Sequence, residues 1–344
     1  MNERDPADMA APVGLAEKVR FLSSPAAHGG AAAIEAIETH WSWLFLTPEA
    51  VFKLKKPLAR PSVDLRTLAA RERNCRDELM LNRRLTTGIY RRLVPLTRDA
   101  SGALQLGGEG EVVEWLIEMA RLPAEHMLDR RLREGTVSSD DVTRIATRLA
   151  EFYAGQPPSS ADGGLYIAHL RHEARVNRAI LTQETLGLGG PRTLALLDAV
   201  EARLEQAVPA IEERIAAGRI LEGHGDLRPE HVCLSEPLQI YDCLEFDRAM
   251  RIIDPFDEVN YLGLECEFIG AGWVRTQLLA VLDDLLGGRP RPALMVAYSA
   301  FRAVLRARFC LAHLLDDEPP GDAARWPREA RAYLAMAEEE LRRL

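Results

Sequence analysis

The sequence predicts an α+β chain in two lobes. A small β-rich N-terminal lobe spans residues 1–120, and a larger, mostly helical C-terminal lobe with an embedded β-hairpin spans 121–344. Three observations predict it. Short strand-like runs, WSWLFLT (41–47), AVFKLK (50–55) and EVVEWLIEM (111–119), all precede residue 120. From residue 138 onward, apolar residues recur at helical spacing instead. Within that helical half, HVCL, the turn SEP and LQIYDC (231–243) read as strand, turn and strand.

The elements follow in order. Residues 1–35 are Ala-rich and weakly patterned, enough for one helix and a loop. A Pro-Glu turn at 48–49 joins the first two strands. RTLAARERNCRDELMLNRRLT (66–86) reads as a helix whose approximate apolar stripe is Leu68, Cys75, Leu79, Leu81 and Leu85. ARLP (120–123) reads as a linker. SSDDVTRIATRLAEFYAG (138–155) opens with a Ser138–Asp141 capping box, carries Val142, Ile145, Leu149 and Phe152 on one face, and ends near Gly155. QPPSSADGG (156–164) reads as a loop. The next long helical stretch contains Pro209, which is expected to kink or divide it, and the chain is helical again from about Ala293.

Composition narrows the function classes. The chain has 344 residues, 47% hydrophobic and 28% charged, with a net charge of −9. That balance argues against a nucleic-acid or anionic-membrane binder, which needs a basic footprint. MNERDPADMAAPVGL places charges where a secretion signal needs an apolar core, and no run is long and apolar enough to span a bilayer. A cytoplasmic protein is expected. The cysteines (Cys75, Cys233, Cys243, Cys266, Cys310) are odd in number and form no CxxC pair, so free thiols fit better than disulfides or zinc.

Two carboxylates raise the chemical question. His224-Gly225-Asp226 is a loop in which the glycine permits a tight turn, and Asp242 stands at the exit of the hairpin's second strand. Carboxylates in such places are costly unless paired or bound to a metal. One can accept the proton of a substrate hydroxyl while the other holds a divalent metal on a polyphosphate. A polyphosphate also needs a cation. On the 50–55 strand, Val51, Lys53 and Lys55 share a face. Val51 followed by Lys53 places a small apolar residue for the adenine two positions before a phosphate-binding lysine; Lys55 is the less suitable alternative. The lysine should pair with a helix carboxylate, Glu78 or alternatively Glu72.

HGDLRPEH (224–231), YDCLEF (241–246) and RIIDPFDEV (251–259) resemble the aminoglycoside phosphotransferase-like branch of the protein-kinase-like fold. ETHWSWLFL, VFKLKKP and DELMLNRRL are similar to a bacterial group of phosphotransferases within it. The resemblance implies ATP-dependent transfer of the γ-phosphoryl group to a hydroxyl of a small molecule, with Mg²⁺ or Mn²⁺. Nucleotide and acceptor are then the partners. It implies that Asp226 is the catalytic-loop aspartate, with Lys53 and Glu78 as the other catalytic pair. Asp242 would bind the metal, joined by His231, and Asp257 would brace the catalytic loop. Trp115, Leu116, Ile117, Glu118 and Met119 would read the adenine through their backbone, with Val51 packed on it.

Two departures from the family pattern stand out. His231 replaces an Asn that holds a second metal, and THWS (39–42) occupies the turn where a Gly-rich phosphate loop can stand. Some relatives carry a fused P-loop ATP-binding domain; with no GxxxxGK here, that domain is expected to be absent. A catalytically impaired nucleotide-binding protein with a regulatory role is the alternative. A metal-dependent oxygenase built on the His-x-Asp pattern needs a β-sandwich, which the helical half argues against. Plainer roles compete at single positions. His224 fits a hydrogen-bonded loop histidine, and Asp254 before Pro255 fits a helix N-cap. Arg302, Arg306 and Arg308 fit a packed helix with solvated arginines; lining a cleft, they would imply an acidic or phosphorylated substrate.

Overall fold

The computed structural model describes residues 13–30, 33–60, 63–159, 163–315 and 324–343. Helix α1 (Leu15–Leu22) precedes β1 (Glu35–Glu38), β2 (Ser42–Leu46) and β3 (Ala50–Lys55). The two-residue strands β4 (Ala59–Arg60) and β5 (Val63–Asp64) lead into helix α2 (Leu68–Asn82). β6 (Tyr90–Arg98), β7 (Leu104–Leu106) and β8 (Glu111–Ala120) complete an antiparallel sheet of order β1-β2-β3-β8-β6-β7. The strand readings at 41–47, 50–55 and 111–119 therefore fall on β2, β3 and β8.

The chain divides into two compact units. The first is residues 1–123 together with 239–246, and the second is 124–238 together with 247–344. In the first unit the pleat separates two cores. Phe45, Leu54, Leu96 and Leu116 point to one face and pack with Leu22 of α1. Ile117 and Tyr90 point to the other, with Cys75 and Leu79 of α2 and Tyr241 from the returning segment. Glu114 of β8, 1% exposed, ties both helices to the sheet. It accepts from Lys18 Nζ of α1 (2.9 Å) and from Arg71 of α2 through both oxygens (2.9 and 2.7 Å). A carboxylate this deep is tolerated because two cations and a bidentate geometry replace its water.

The second unit is helical. α3 (Leu128–Arg133) and α4 (Ser139–Ala154) come first. α4 starts with the expected capping box, buries Val142, Ile145, Leu149 and Phe152, and ends at Gly155. α5 (Gly163–Leu181) begins inside the stretch read as a loop, because two glycines at its start hide a helix whose buried face includes the polar Glu173 and Asn177. α6 (Pro191–Ala216) runs through Pro209 without dividing. Leu204, Ala207 and Ile211 are buried on either side of the proline, and their packing offsets the lost hydrogen bond, a cost of about 3 kcal/mol.

The short strands β9 (Leu221–Glu222), β10 (Val232–Cys233), β11 (Gln239–Ile240) and β12 (Ile252–Ile253) follow, β9 pairing with β12. The unit boundary between 238 and 239 falls just before β11, in the second half of the expected hairpin. α7 (Pro255–Phe268), α8 (Gly272–Leu286), α9 (Pro292–Ala312) and α10 (Arg325–Arg342) complete the chain. All five cysteines are free and buried. Among the described residues, no helix is long and apolar enough to cross a membrane.

Leu54 is fully buried beside Lys53 on the opposite face of β3. Leu54→Ala is expected to cost about 2–5 kcal/mol of stability. Urea unfolding of the variant should show a lower midpoint with an unchanged slope.

Candidate active site

In the first unit, β3 alternation sends Lys53 and Lys55 to the face that packs against α2, and both meet Glu78. Lys53 Nζ lies 2.8 Å from Glu78 Oε1 and 3.0 Å from Asp242 Oδ1. Lys55 Nζ contacts Glu78 Oε2 and lies 2.5 Å from Glu245 Oε1. The result is a chain of five alternating charges: Asp242, Lys53, Glu78, Lys55, Glu245. Glu72, the alternative helix carboxylate, instead pairs with Arg76 on the same helix.

Electrostatics sort these groups. Burial alone would lower the Lys53 ammonium, but Asp242 and Glu78 outweigh it and hold its pKa well above the usual lysine range. Burial likewise opposes the Glu78 carboxylate, yet Lys53 and Lys55 keep it ionised with a lowered pKa. The lysine side chains are 14% exposed at Lys53 and 2% at Lys55, so Lys53 is the one with reach to a ligand. The Asp242 side chain is 42% exposed, and its backbone has φ +61°. Aspartate is among the few residues that tolerate this left-handed region. The following residues hold the segment: Cys243 N–H donates to Asn82 Oδ1 (2.8 Å), and Phe246 stacks on Trp41 at 4.9 Å between ring centres. Trp41 belongs to the THWS turn, closed by Thr39 N–H donating to Ser42 O (2.8 Å).

Trp115, Leu116, Ile117, Glu118 and Met119 lie inside β8, which pairs with β3 on one side and β6 on the other. The backbone of Leu116 to Met119 is therefore engaged in the sheet on both sides, and Trp115 N–H donates to Glu114 Oε1 (3.1 Å), rather than turning toward a ligand. Pairing with β3 ends at Ala120, and Arg121 N–H still reaches Glu49 O (3.3 Å). Val51 shares the Lys53 face and pairs with Met119.

The second unit holds the 224–231 loop. Gly225 has φ +90°, as the expected tight turn requires. His224 is fully buried, and its Nδ1 accepts from Asp226 N–H at 3.3 Å, which makes it a shaping residue of the turn. The brace of this loop is Glu258. Its carboxylate accepts from the backbone N–H of His224 (3.0 Å) and of Gly225 (2.6 Å), and from Tyr153 Oη (2.6 Å). A side chain at Gly223 would run into Glu258 and Ile253. Asp257, expected in that role, instead receives Arg302 through both oxygens (2.9 and 2.6 Å) and Tyr166 Oη (2.8 Å). One helix position turns the side chain by about 100°, which suffices to exchange the two roles.

Asp226 has Arg228 Nε at 3.2 Å, and Arg228 also pairs with Glu230 (2.9 Å). Burial would raise the Asp226 carboxyl, but nearby positive charge, that of Arg228 first, outweighs it and holds its pKa below the usual range. Arg228 is a site residue that sequence reasoning passed over, although its place two residues after Asp226 was visible. His231 Nδ1 lies 2.7 Å from the Asp226 carbonyl. A carbonyl only accepts, so Nδ1 carries the proton and Nε2 the lone pair, which faces Arg228 at 3.4 Å.

The three arginines of α9 are paired rather than solvated: Arg302 with Asp257, Arg306 with Glu265 (3.0 Å) and Arg308 with Glu173 (2.7 Å). Their charge is neutralised inside the unit, so the reading of an acidic or phosphorylated substrate loses its support. Asp254 caps α7, accepting from Phe256 N–H at 2.9 Å.

No protein-family model matches the chain. Uncharacterised proteins of Mycobacterium tuberculosis and Mycobacterium bovis are each 28% identical over 330 residues, covering 90% of this chain and 60% of the relative. The chain thus spans three fifths of the length of those relatives. Among solved structures, a choline/ethanolamine kinase family protein from Mesorhizobium loti superposes with a TM-score of 0.51 at 15% identity, over 96% of this chain and 99% of that one. A thermostable mutant of an aminoglycoside phosphotransferase gives 0.51 at 12% identity, over 92% and 98%. With its antiparallel sheet followed by a helical part, the chain adopts the protein-kinase-like fold in the form shared by choline/ethanolamine kinase and aminoglycoside phosphotransferase structures.

Proposed function

We propose that the chain is an ATP-dependent phosphotransferase that moves the γ-phosphoryl group to a hydroxyl of a small molecule. The observation that carries this is Lys53 Nζ held between Glu78 (2.8 Å) and Asp242 (3.0 Å) in the first unit. A lysine fixed between a helix carboxylate and a half-exposed aspartate suits a polyphosphate with its metal. The lysine serves the α- and β-phosphates, and the aspartate serves the cation. Asp242 is a hard oxygen donor, the type that Mg²⁺ and Mn²⁺ take. The metal, when bound, would neutralise phosphate charge.

The remaining roles fall to this chain's own side chains. Val51 offers the adenine an apolar surface on the Lys53 face. Because backbone pairing with β3 and the turn before it continues through Ala120 and Arg121, we place the adenine's backbone contacts just past them, at Leu122. In the second unit, Asp226 stays ionised, so it can accept the hydrogen bond of an acceptor hydroxyl and take its proton as the O–P bond forms. Arg228 keeps Asp226 charged. His231 holds the loop through the Asp226 carbonyl, and would add a nitrogen ligand to the metal only by turning Nε2 away from Arg228.

Asp226→Asn is expected to abolish slow ATP hydrolysis while leaving nucleotide binding unchanged. Calorimetric titration alongside a phosphate-release assay checks this, and full turnover in the variant would remove Asp226 from the chemistry. Nucleotide binding by the native protein without any turnover would support the regulatory alternative.

His231→Asn is expected to retain Mg²⁺-supported hydrolysis, since an amide N–H can also donate to the Asp226 carbonyl. A native preference for Mn²⁺ that the variant abolishes would instead make Nε2 a metal ligand.

The pH dependence has a defined sign. A carboxylate with a lowered folded pKa contributes stability above its unfolded pKa and loses it as pH falls through the folded value. Arg228→Gln removes the charge that outweighs burial at Asp226. The acidic limb of its pH–rate profile should therefore move to higher pH, and an unmoved limb would separate Arg228 from the ionisation of Asp226.

A further inference from the structure

The nucleotide reading uses one lysine of β3, yet the strand buries two on the same face. Lys55 is the more deeply buried, with 2% of its side chain exposed. An ammonium so enclosed is costly to desolvate and is retained only where carboxylates replace its water. Two do so: Glu78 on α2 and Glu245, at 2.5 Å. Burial works against the charge of Lys55, yet Glu245 and Glu78 raise its pKa above the usual lysine value, so it stays an ammonium. Enclosed in this way, Lys55 cannot itself reach a phosphate.

The position of Glu245 gives this pairing a use. It stands three residues after Asp242, whose backbone sits in the left-handed region at φ +61°. The segment is held at Cys243 by Asn82, at Glu245 by Lys55 and at Phe246 by Trp41. Of these ties the one through Lys55 is ionic, and it runs to the strand that carries Lys53. Glu78, meanwhile, is shared by both lysines.

We propose that Lys55 is a positioning residue for the metal. Through Glu245 it fixes the backbone that presents Asp242 to a divalent cation. This inference rests on the nucleotide reading given above.

The test separates the two lysines by metal dependence. Binding of the non-hydrolysable analogue β,γ-imido-ATP is measured by calorimetry in excess EDTA and again in excess Mg²⁺. In Lys55→Met, binding in EDTA should match the native protein, while the gain on adding Mg²⁺ falls about 10-fold, as for loss of a residue that orients a metal ligand. Glu245→Gln should reproduce that pattern. Lys53→Met should weaken binding in both conditions.

A Lys55→Met variant that loses affinity equally with and without Mg²⁺ would make Lys55 a phosphate contact and overturn the proposal. An unchanged Mg²⁺ gain in both Lys55→Met and Glu245→Gln would overturn it as well, while leaving the nucleotide reading intact. Should Lys55→Met fail to fold, Glu245→Gln decides alone. A native protein that binds the analogue in neither condition sinks the nucleotide reading, and this inference with it.

Discussion

The first unit depends on a line of charge buried beneath its sheet. Asp242, Lys53, Glu78, Lys55 and Glu245 alternate in sign and come from three separate parts of the chain. None of the buried members would be tolerated alone. Glu78 is fully buried, and an unpaired carboxylate there would lose several kcal/mol of hydration. Each charge thus requires the next, which is why residues 239–246 fold with the sheet despite following more than a hundred residues of helical chain. The apolar packing of Tyr241 with α2 and the stacking of Phe246 on Trp41 support the same placement.

The second unit meets the same constraint in another way. Helix α7 and its N-cap carry buried carboxylates at Asp254, Asp257, Glu258 and Glu265, each paired with an arginine or with backbone N–H groups. Arg302 and Arg308 are therefore structural ions in a helical core. Glu258 differs because its partners are the backbone N–H groups of the loop that carries Asp226. A loop rich in charge is thereby held by one carboxylate, which the Tyr153 hydroxyl in turn fixes. Functional groups placed on a loop need such a rigid foundation if their geometry is to be preserved.

The two departures from the family pattern have local structural counterparts. His231 donates to the Asp226 carbonyl, so the imidazole takes over the bracing task open to an amide. Trp41, in the turn without glycines, stacks on the segment that follows Asp242. An aromatic contact there orders a turn that a glycine-rich sequence would leave flexible.

The sequence by itself determined the elements with strong periodicity and the identity of the motif residues. The strands at 42–46 and 50–55, the capping box of Ser138 and Asp141, and the sharing of one β3 face by Val51, Lys53 and Lys55 depend on local backbone geometry, which neighbouring residues reveal. Helix α5 escaped because glycines and buried polar residues blur its period, and Pro209 misled because packing can offset a lost hydrogen bond. Beyond the expected pair of Lys53 and Glu78, only the tertiary structure decided which carboxylate meets which cation. Asp257 and Glu258 are adjacent in DPFDEV and equally charged, so nothing local distinguishes the partner of Arg302 from the brace of the loop. Lys55 and Glu245 lie 190 positions apart, and their pairing follows from burial: an ion removed from water must find its counter-ion wherever the fold brings one.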